Sequence, residues 1–236
     1  MWGIMMKLSL QEQFYINFVE DNRYLYIVNG LKNTLLITLF SLVFGVALGF
    51  LIAMVRVTHD TTGKLKPLNL IAKVYLTIIR GTPVLVQLMI IYYVIFSSAN
   101  VNKIATAVIG FGINSGAYVA EIFRSGIMSI DKGQMEAGRS LGLNYTQTMW
   151  RIIMPQAIKN VLPALGNEFI TLLKETSVAG YIAVQDLTKG GDIIRSRTYS
   201  PFLPLIAVAL IYLVVVMLLQ AGVNRLERRL AVSDRR

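Results

Sequence analysis

Cysteine is absent from this sequence, and histidine occurs once, at His59. The first absence removes disulfides, thiol nucleophiles and thiolate metal ligands. The second leaves a single imidazole with no partners for a metal site, and His59, beside Asp60, is expected in a solvated loop. With neither residue type to pair, a nucleophile–base couple for hydrolysis inside a membrane is also missing. Charge is scarce: 15% of the 236 residues are charged, where a soluble domain carries about 25%. No segment follows the G-x-x-x-x-G-K-[ST] phosphate-loop pattern, so any ATP chemistry belongs to another chain. No lysine-rich run interleaved with aromatics is present. The net charge of +10 therefore points to anionic lipid facing cytoplasmic loops and not to nucleic acid.

What is abundant is apolar: 55% of the chain is hydrophobic. Crossing a bilayer takes about 20 such residues in a row. Five runs qualify, at 34–55, 75–96, 104–123, 162–184 and 202–223. The first holds Gly45 and Gly49 at GxxxG spacing, which permits close helix packing. Pro83 must break or kink the second, because it removes a backbone donor. Glu168, Lys174 and Glu175 interrupt the fourth. The fold class expected is an all-α membrane protein of about five transmembrane helices.

Five spans put the termini on opposite sides. Alternate flanks hold fourteen and seven Lys plus Arg residues. The excess marks the cytoplasmic side, giving an N-terminus outside, a C-terminus inside, and a multi-pass protein of the cell membrane. Residues 1–29 read as an extracytoplasmic or interfacial segment without a signal cleavage site. Residues 30–225 form the membrane domain, and 226–236 a basic cytoplasmic tail.

Between the third and fourth runs lies a polar stretch, about 131–157, that contains EAGRSLGLNYTQTMWRIIMPQA. Asp131 precedes a short helix that stops at Gly142. Asn144 and Gln147 form a capping-box pattern for a second helix running to Pro155, which is expected to reorient the chain. Two short cytoplasmic helices follow. The first bears small residues suited to a groove on another protein, or to rest on the chain's own end.

Glu136-Ala137-Gly138, Gly142, Ile152 and Met154-Pro155 resemble the EAA…G…I-LP loop of permease subunits in binding-protein-dependent ABC importers. Gly138 replaces the second alanine and Met154 the leucine. IIRGTPVLVQL (78–88), INSGAYVAEIFRSGI (113–127) and LPALGNEFITLLKETSV (162–178) are similar to segments of polar amino-acid permeases, the histidine, arginine and glutamine uptake family. The resemblance implies a type I ABC importer permease fold and a coupling helix, with Glu136, Ala137, Gly138, Leu141 and Gly142 docking on an ATP-binding subunit. It also implies no catalysis and no cofactor in this chain, with ATP and magnesium in the partner. A second permease copy or paralogue and an extracytoplasmic solute-binding protein complete the set.

Asn114, Tyr118 and Glu121 share one helical face, with Ser115 beside them. A carboxylate at membrane depth costs roughly 2.5–3.5 kcal/mol on insertion scales, so it should face protein or water. Glu121 suits an ammonium or guanidinium, and Asn114 and Ser115 a carboxylate; Gly112 and Gly116 leave room for a ligand against the backbone. Glu121 also lies three residues before Arg124, and pairing with it is the competing reading. Gln87, one turn past Pro83, is a second substrate candidate. Arg80, Pro83, Glu168, Lys174 and Glu175 are candidates for a gate or an ion-paired interface. The outer stretch 187–201 reads either as a contact for the binding protein or as a solvated turn at Gly190-Gly191. The function expected is amino-acid import by alternating access driven by a separate ATPase. The alternative is a secondary transporter or channel with no ATPase.

Overall fold

A computed structural model describes residues 9–97 and 101–233. Expectations for the first eight residues, and for Arg235 and Arg236 of the basic tail, lie outside the described residues. Among the described residues there is no strand. The helices are α1 (Leu10–Phe14), α2 (Tyr24–Thr62), α3 (Lys66–Gly81), α4 (Val84–Ile90), α5 (Lys103–Met128), α6 (Lys132–Ser140), α7 (Tyr145–Thr148), α8 (Met154–Glu175), α9 (Leu187–Thr198) and α10 (Phe202–Ser233). Wider π turns follow α1, α4 and α7, at Tyr15–Val19, Ile91–Ile95 and Met149–Ile153.

Among the described residues, three helices are long and apolar enough to cross a membrane: α2, α5 and α10. The apolar run around Pro83 is not one helix: α3 ends at Gly81 and α4 begins at Val84, and only the two together are long and apolar enough to count as a fourth candidate span. The expected fifth, over 162–184, is helical only to Glu175 and then tightens into the 3-10 turn Thr176–Ile182. That helix is not among those apolar enough to count as a span. The first span is far longer than 34–55. Its 39 residues run about 58 Å at 1.5 Å each, because nothing stops the helix before Gly63, which takes φ +69°. His59 therefore sits in the last helical turn, not in a loop, and its Nδ1 donates to the Lys64 carbonyl at 3.0 Å.

The helices form two compact units. The first comprises the described residues within Met1–Ser41, Val84–Phe111 and Thr171–Leu218; the second those within Leu42–Pro83, Gly112–Ile170 and Leu219–Arg236.

In the first unit, Ile27, Leu187, Ile194 and Val208 form a buried cluster. Thr34, Thr38 and Ser41 of α2 recur every three or four residues and are all fully buried. Each hydroxyl has a backbone partner: Thr34 Oγ1 accepts from Leu187 N–H at 3.0 Å. Thr38 donates to the Thr34 carbonyl at 2.7 Å, and Ser41 to the Val108 carbonyl at 3.2 Å. The stretch read as a possible turn is helix α9, capped by Asp186, whose side chain accepts from the Thr188 and Lys189 amides at 3.0 and 3.2 Å. Gly190 is buried against the Tyr26 carbonyl and leaves no room for a Cβ. The N-terminal segment is helical from Leu10, with a Ser9–Glu12 capping box. Asn17 anchors it, fully buried, donating to Ser200 at 3.2 Å and accepting from Thr198 at 2.8 Å.

In the second unit, Gly45 and Gly49 of α2 meet α5 inside the same chain. A Cβ at Gly49 would stand 2.7 Å from the Gly116 carbonyl oxygen and 2.8 Å from the Ala120 nitrogen. The GxxxG face is thus occupied internally. Ala53, Val119, Phe123 and Val161 are buried beside it, and Phe50 meets Phe123 edge to face at 5.2 Å.

Candidate solute cavity and partner-docking loop

The polar loop folds as its capping residues dictate. Asp131 accepts from the Gly133 amide at 2.6 Å and starts α6. At the other end Gly142 takes φ +81°, with Gly142 N–H bonded to Arg139 O at 2.9 Å and Leu143 N–H to Gly138 O at 3.1 Å. That pair of bonds is a Schellman stop. Asn144 and Gln147 exchange the reciprocal bonds of a capping box at 2.9 and 3.0 Å. Pro155 does not begin a separate helix: the π turn Met149–Ile153 carries the helical backbone from α7 into α8, and Pro155 is the second residue of α8.

Met149 and Ile153 pack with Val57, Ile127, Met154 and Ala157, so the second half of the loop rests on the chain's own α2 and α5 ends. Thr61 Oγ1 and the Tyr145 hydroxyl are 2.9 Å apart and tie α2 to α7. The first half faces outward. Glu136, Ala137, Leu141 and Gly142 are exposed, Leu141 at 79%. Gly138 is buried instead: a Cβ there would lie 2.5 Å from Thr148 Cγ2 and 3.1 Å from Ile152 Cδ1. The replacement of alanine by glycine at this position is what lets α6 seat on the following helix.

A second feature is an open cavity of about 670 Å³ lined by Arg56, Lys73, Leu76, Thr77, Arg80, Gly81, Tyr118 and Glu121, with Lys73, Thr77, Arg80, Gly81 and Tyr118 exposed to solvent. Lys73, Thr77 and Arg80 are spaced by four and three on α3 and face one way. Arg80 lies over the Tyr118 ring, 5.7 Å from its centroid, and 3.9 Å from the Glu121 carboxylate. Arg124 holds the same carboxylate at 2.6 Å and comes within 3.9 Å of Asp60.

Of the expected substrate residues, Tyr118 and Glu121 line this cavity. Asn114 and Ser115 are buried, and Ser115 donates to Glu168 at 2.7 Å. Gly112 and Gly116 hold no free space: Phe44 fills the first, and Leu48 with the Tyr75 hydroxyl fills the second. Gln87 is half-buried on α4 in the first unit. Arg80 faces Glu121, while Lys174 is exposed and Glu175 half-buried. Arg56, Lys73 and Thr77 were not singled out from sequence. Lys73 and Thr77 are marked only by the α3 face they share with Arg80, and Arg56, on α2, only by its place in the cavity lining.

Residues 45–232 match the family described as "Binding-protein-dependent transport system inner membrane component". The chain is 38% identical over 211 residues to a putative glutamine transport system permease protein of Rickettsia bellii, covering 89% of this chain and 94% of that one. It is 38% identical over 217 residues to an L-cystine transport system permease protein of Bacillus subtilis, covering 91% and 90%. Among solved structures, an amino acid ABC transporter crystallised with histidines superposes with a TM-score of 0.81 at 42% identity, covering 90% of this chain and 98% of that one. The MetNI methionine ABC transporter shares the fold, with a TM-score of 0.73 at 20% identity over 86% of this chain and 95% of that one. The chain belongs to the family of binding-protein-dependent transport system inner-membrane components: it is a multi-pass permease subunit of an ABC importer.

Proposed function

We propose that this permease imports an amino acid, and that the cavity of Tyr118, Glu121 and Arg80 is where the solute rests. The observation that carries the reading is that cavity's pairing of a carboxylate with cationic donors, the complement of a zwitterion. Glu121 takes the α-ammonium and Arg80 the α-carboxylate, with the Tyr118 ring beside them. The glutamine, cystine and histidine named for the relatives support an amino acid as the solute class.

Transport proceeds by alternating access, in which ATP and the loaded binding protein each favour one of two states. ATP hydrolysis, with its magnesium, belongs to separate ATP-binding subunits. These dock on α6 through Glu136, Ala137, Leu141 and Gly142; the exposed Leu141 supports this, since a lone apolar side chain on a short polar helix suits a groove. A second permease copy or paralogue completes the path, and a solute-binding protein delivers from outside. The N-terminus is extracytoplasmic and the C-terminus cytoplasmic.

The test is ATP hydrolysis by the complex reconstituted with its ATP-binding subunit and binding protein, with and without amino acids. Stimulation by amino acid in wild type, lost in Glu121→Gln, is expected. If no amino acid alters hydrolysis and the chain purified alone moves solute down a proton gradient, the secondary-transporter reading replaces this one.

A further inference from the structure

Resting on the amino-acid reading, the charges around the cavity narrow the solute further. Three cationic side chains, Arg56, Lys73 and Arg80, line it against one carboxylate, Glu121. Arg124 already neutralises that carboxylate from outside the lining, at 2.6 Å. Among the described residues neither Arg56 nor Lys73 has a carboxylate within ion-pair distance. Arg56 has only a long hydrogen bond, 3.4 Å, to Asn69 Oδ1, and its Nε has no partner. Arg and Lys donate and never accept. The cavity therefore offers surplus donors and positive charge, and its single carboxylate is needed for the α-ammonium.

A solute with a cationic side chain brings two positive groups and finds one carboxylate, itself shared with Arg124. A solute whose side chain carries a carboxylate or amide oxygen meets the unpaired Arg56 and Lys73. We infer that the cavity selects amino acids with acidic or carbonyl-bearing side chains, of the glutamate and glutamine type, and rejects arginine and lysine. Arg80 anchors the α-carboxylate, while Arg56 and Lys73 read the side chain.

The experiment is equilibrium binding of radiolabelled glutamate, glutamine and arginine to the permease–ATPase complex without binding protein, in nanodiscs of zwitterionic lipid. Glutamate and glutamine should bind at least about tenfold more tightly than arginine, since each unmatched charge in such a site costs about that factor or more. Lys73→Gln should weaken glutamate more than glutamine, and Arg80→Gln should weaken both about tenfold. Arg80→Lys, which keeps the charge, should retain the order of preference and shows that a loss in Arg80→Gln is not misfolding.

Arginine binding as tightly as glutamate overturns the inference and leaves the amino-acid reading standing. So does glutamate binding that neither Lys73→Gln nor Arg80→Gln weakens. Binding of none of the three overturns the amino-acid reading itself. If phosphatidylglycerol in the nanodisc abolishes glutamate binding while inorganic phosphate does not, the cavity is a lipid-headgroup site and the inference falls.

Discussion

Helices α5 and α10 reverse the rule that soluble proteins follow. The most apolar window of α5 has a mean hydropathy of 1.2, and 67% of it is buried; that of α10 reaches 3.0, and 11% is buried. In water the greasier helix would be the core. In lipid, apolar side chains lose nothing by facing outward, and what draws helices together is close packing and hydrogen bonding. So α5 offers Ser115, Gly116, Ala117 and Ala120 to its neighbours, while α10 leaves Leu210, Leu213, Val214, Met217 and Leu218 exposed. Small residues, not greasy ones, mark the inside.

The harshest test of that contrast is Gly49→Leu on α2. Its Cβ would press on the backbone of α5 at Gly116 and Ala120, which cannot yield without moving the helix. A loss of about 3 kcal/mol or more is expected, read as a collapse of the unfolding midpoint in detergent. Wild-type stability would show that the α2–α5 contact is not close.

Next comes a buried charge. Burial lifts the Asp186 carboxyl from 3.8 to about 6, although its backbone bonds to Lys189 and Thr188 pull the other way. Because its folded value is raised, the stability it lends is full below pH 3.8 and is lost as pH rises through 6. The swing is at most about 3 kcal/mol. Hydrogen exchange in α9 should slow from pH 7 to pH 4 once corrected for intrinsic rates, and Asp186→Asn should flatten that dependence. An unchanged slope in the variant would assign the effect to another group.

Gly138→Ala carries the same close packing to the polar loop, where α6 rests on the following helix. A cost of about 1–2 kcal/mol is expected, with weaker stimulation of the ATPase. Thr148→Ala in the same chain should recover part of it, because the clashing Cγ2 is then gone. Additive losses instead of recovery would rule out that contact as the cause.

The smallest effect belongs to α10. Leu213, 53% exposed, should tolerate Ala within about 0.5 kcal/mol, far from the 2–5 kcal/mol of a buried leucine. A large loss would place a protein partner on that face.

Much of this was legible before the structure. The apolar runs located α2, α5 and α10, and Asp131, Gly142, Asn144 and Gln147 fixed both ends of α6 and the start of α7, because caps act through neighbours in sequence; the expected end of the second helix at Pro155 is instead a continuation into α8. Pro83 marked the break that follows α3. What sequence could not carry were facts of one helix against another. Gly112 and Gly116 looked like vacancies, yet Phe44 and Leu48 fill them, and Gly138, read as a docking residue, packs on Thr148. Asn114 shares the face of Glu121 in a helical projection, but the two lie about two turns apart along α5, the first buried and the second partly exposed. Arg56 and Lys73 fall just outside the apolar runs 34–55 and 75–96, although both lie inside helices, α2 and α3.

The π turn ahead of Pro155 has a mechanical consequence. Helical backbone runs from α7 into α8 without a loop, and it holds a second proline, Pro163, inside α8. The π turn and Pro163 are therefore two places where this helical run can bend. The Thr61–Tyr145 contact moors α7 to α2 ahead of both, so bending at either leaves that mooring in place.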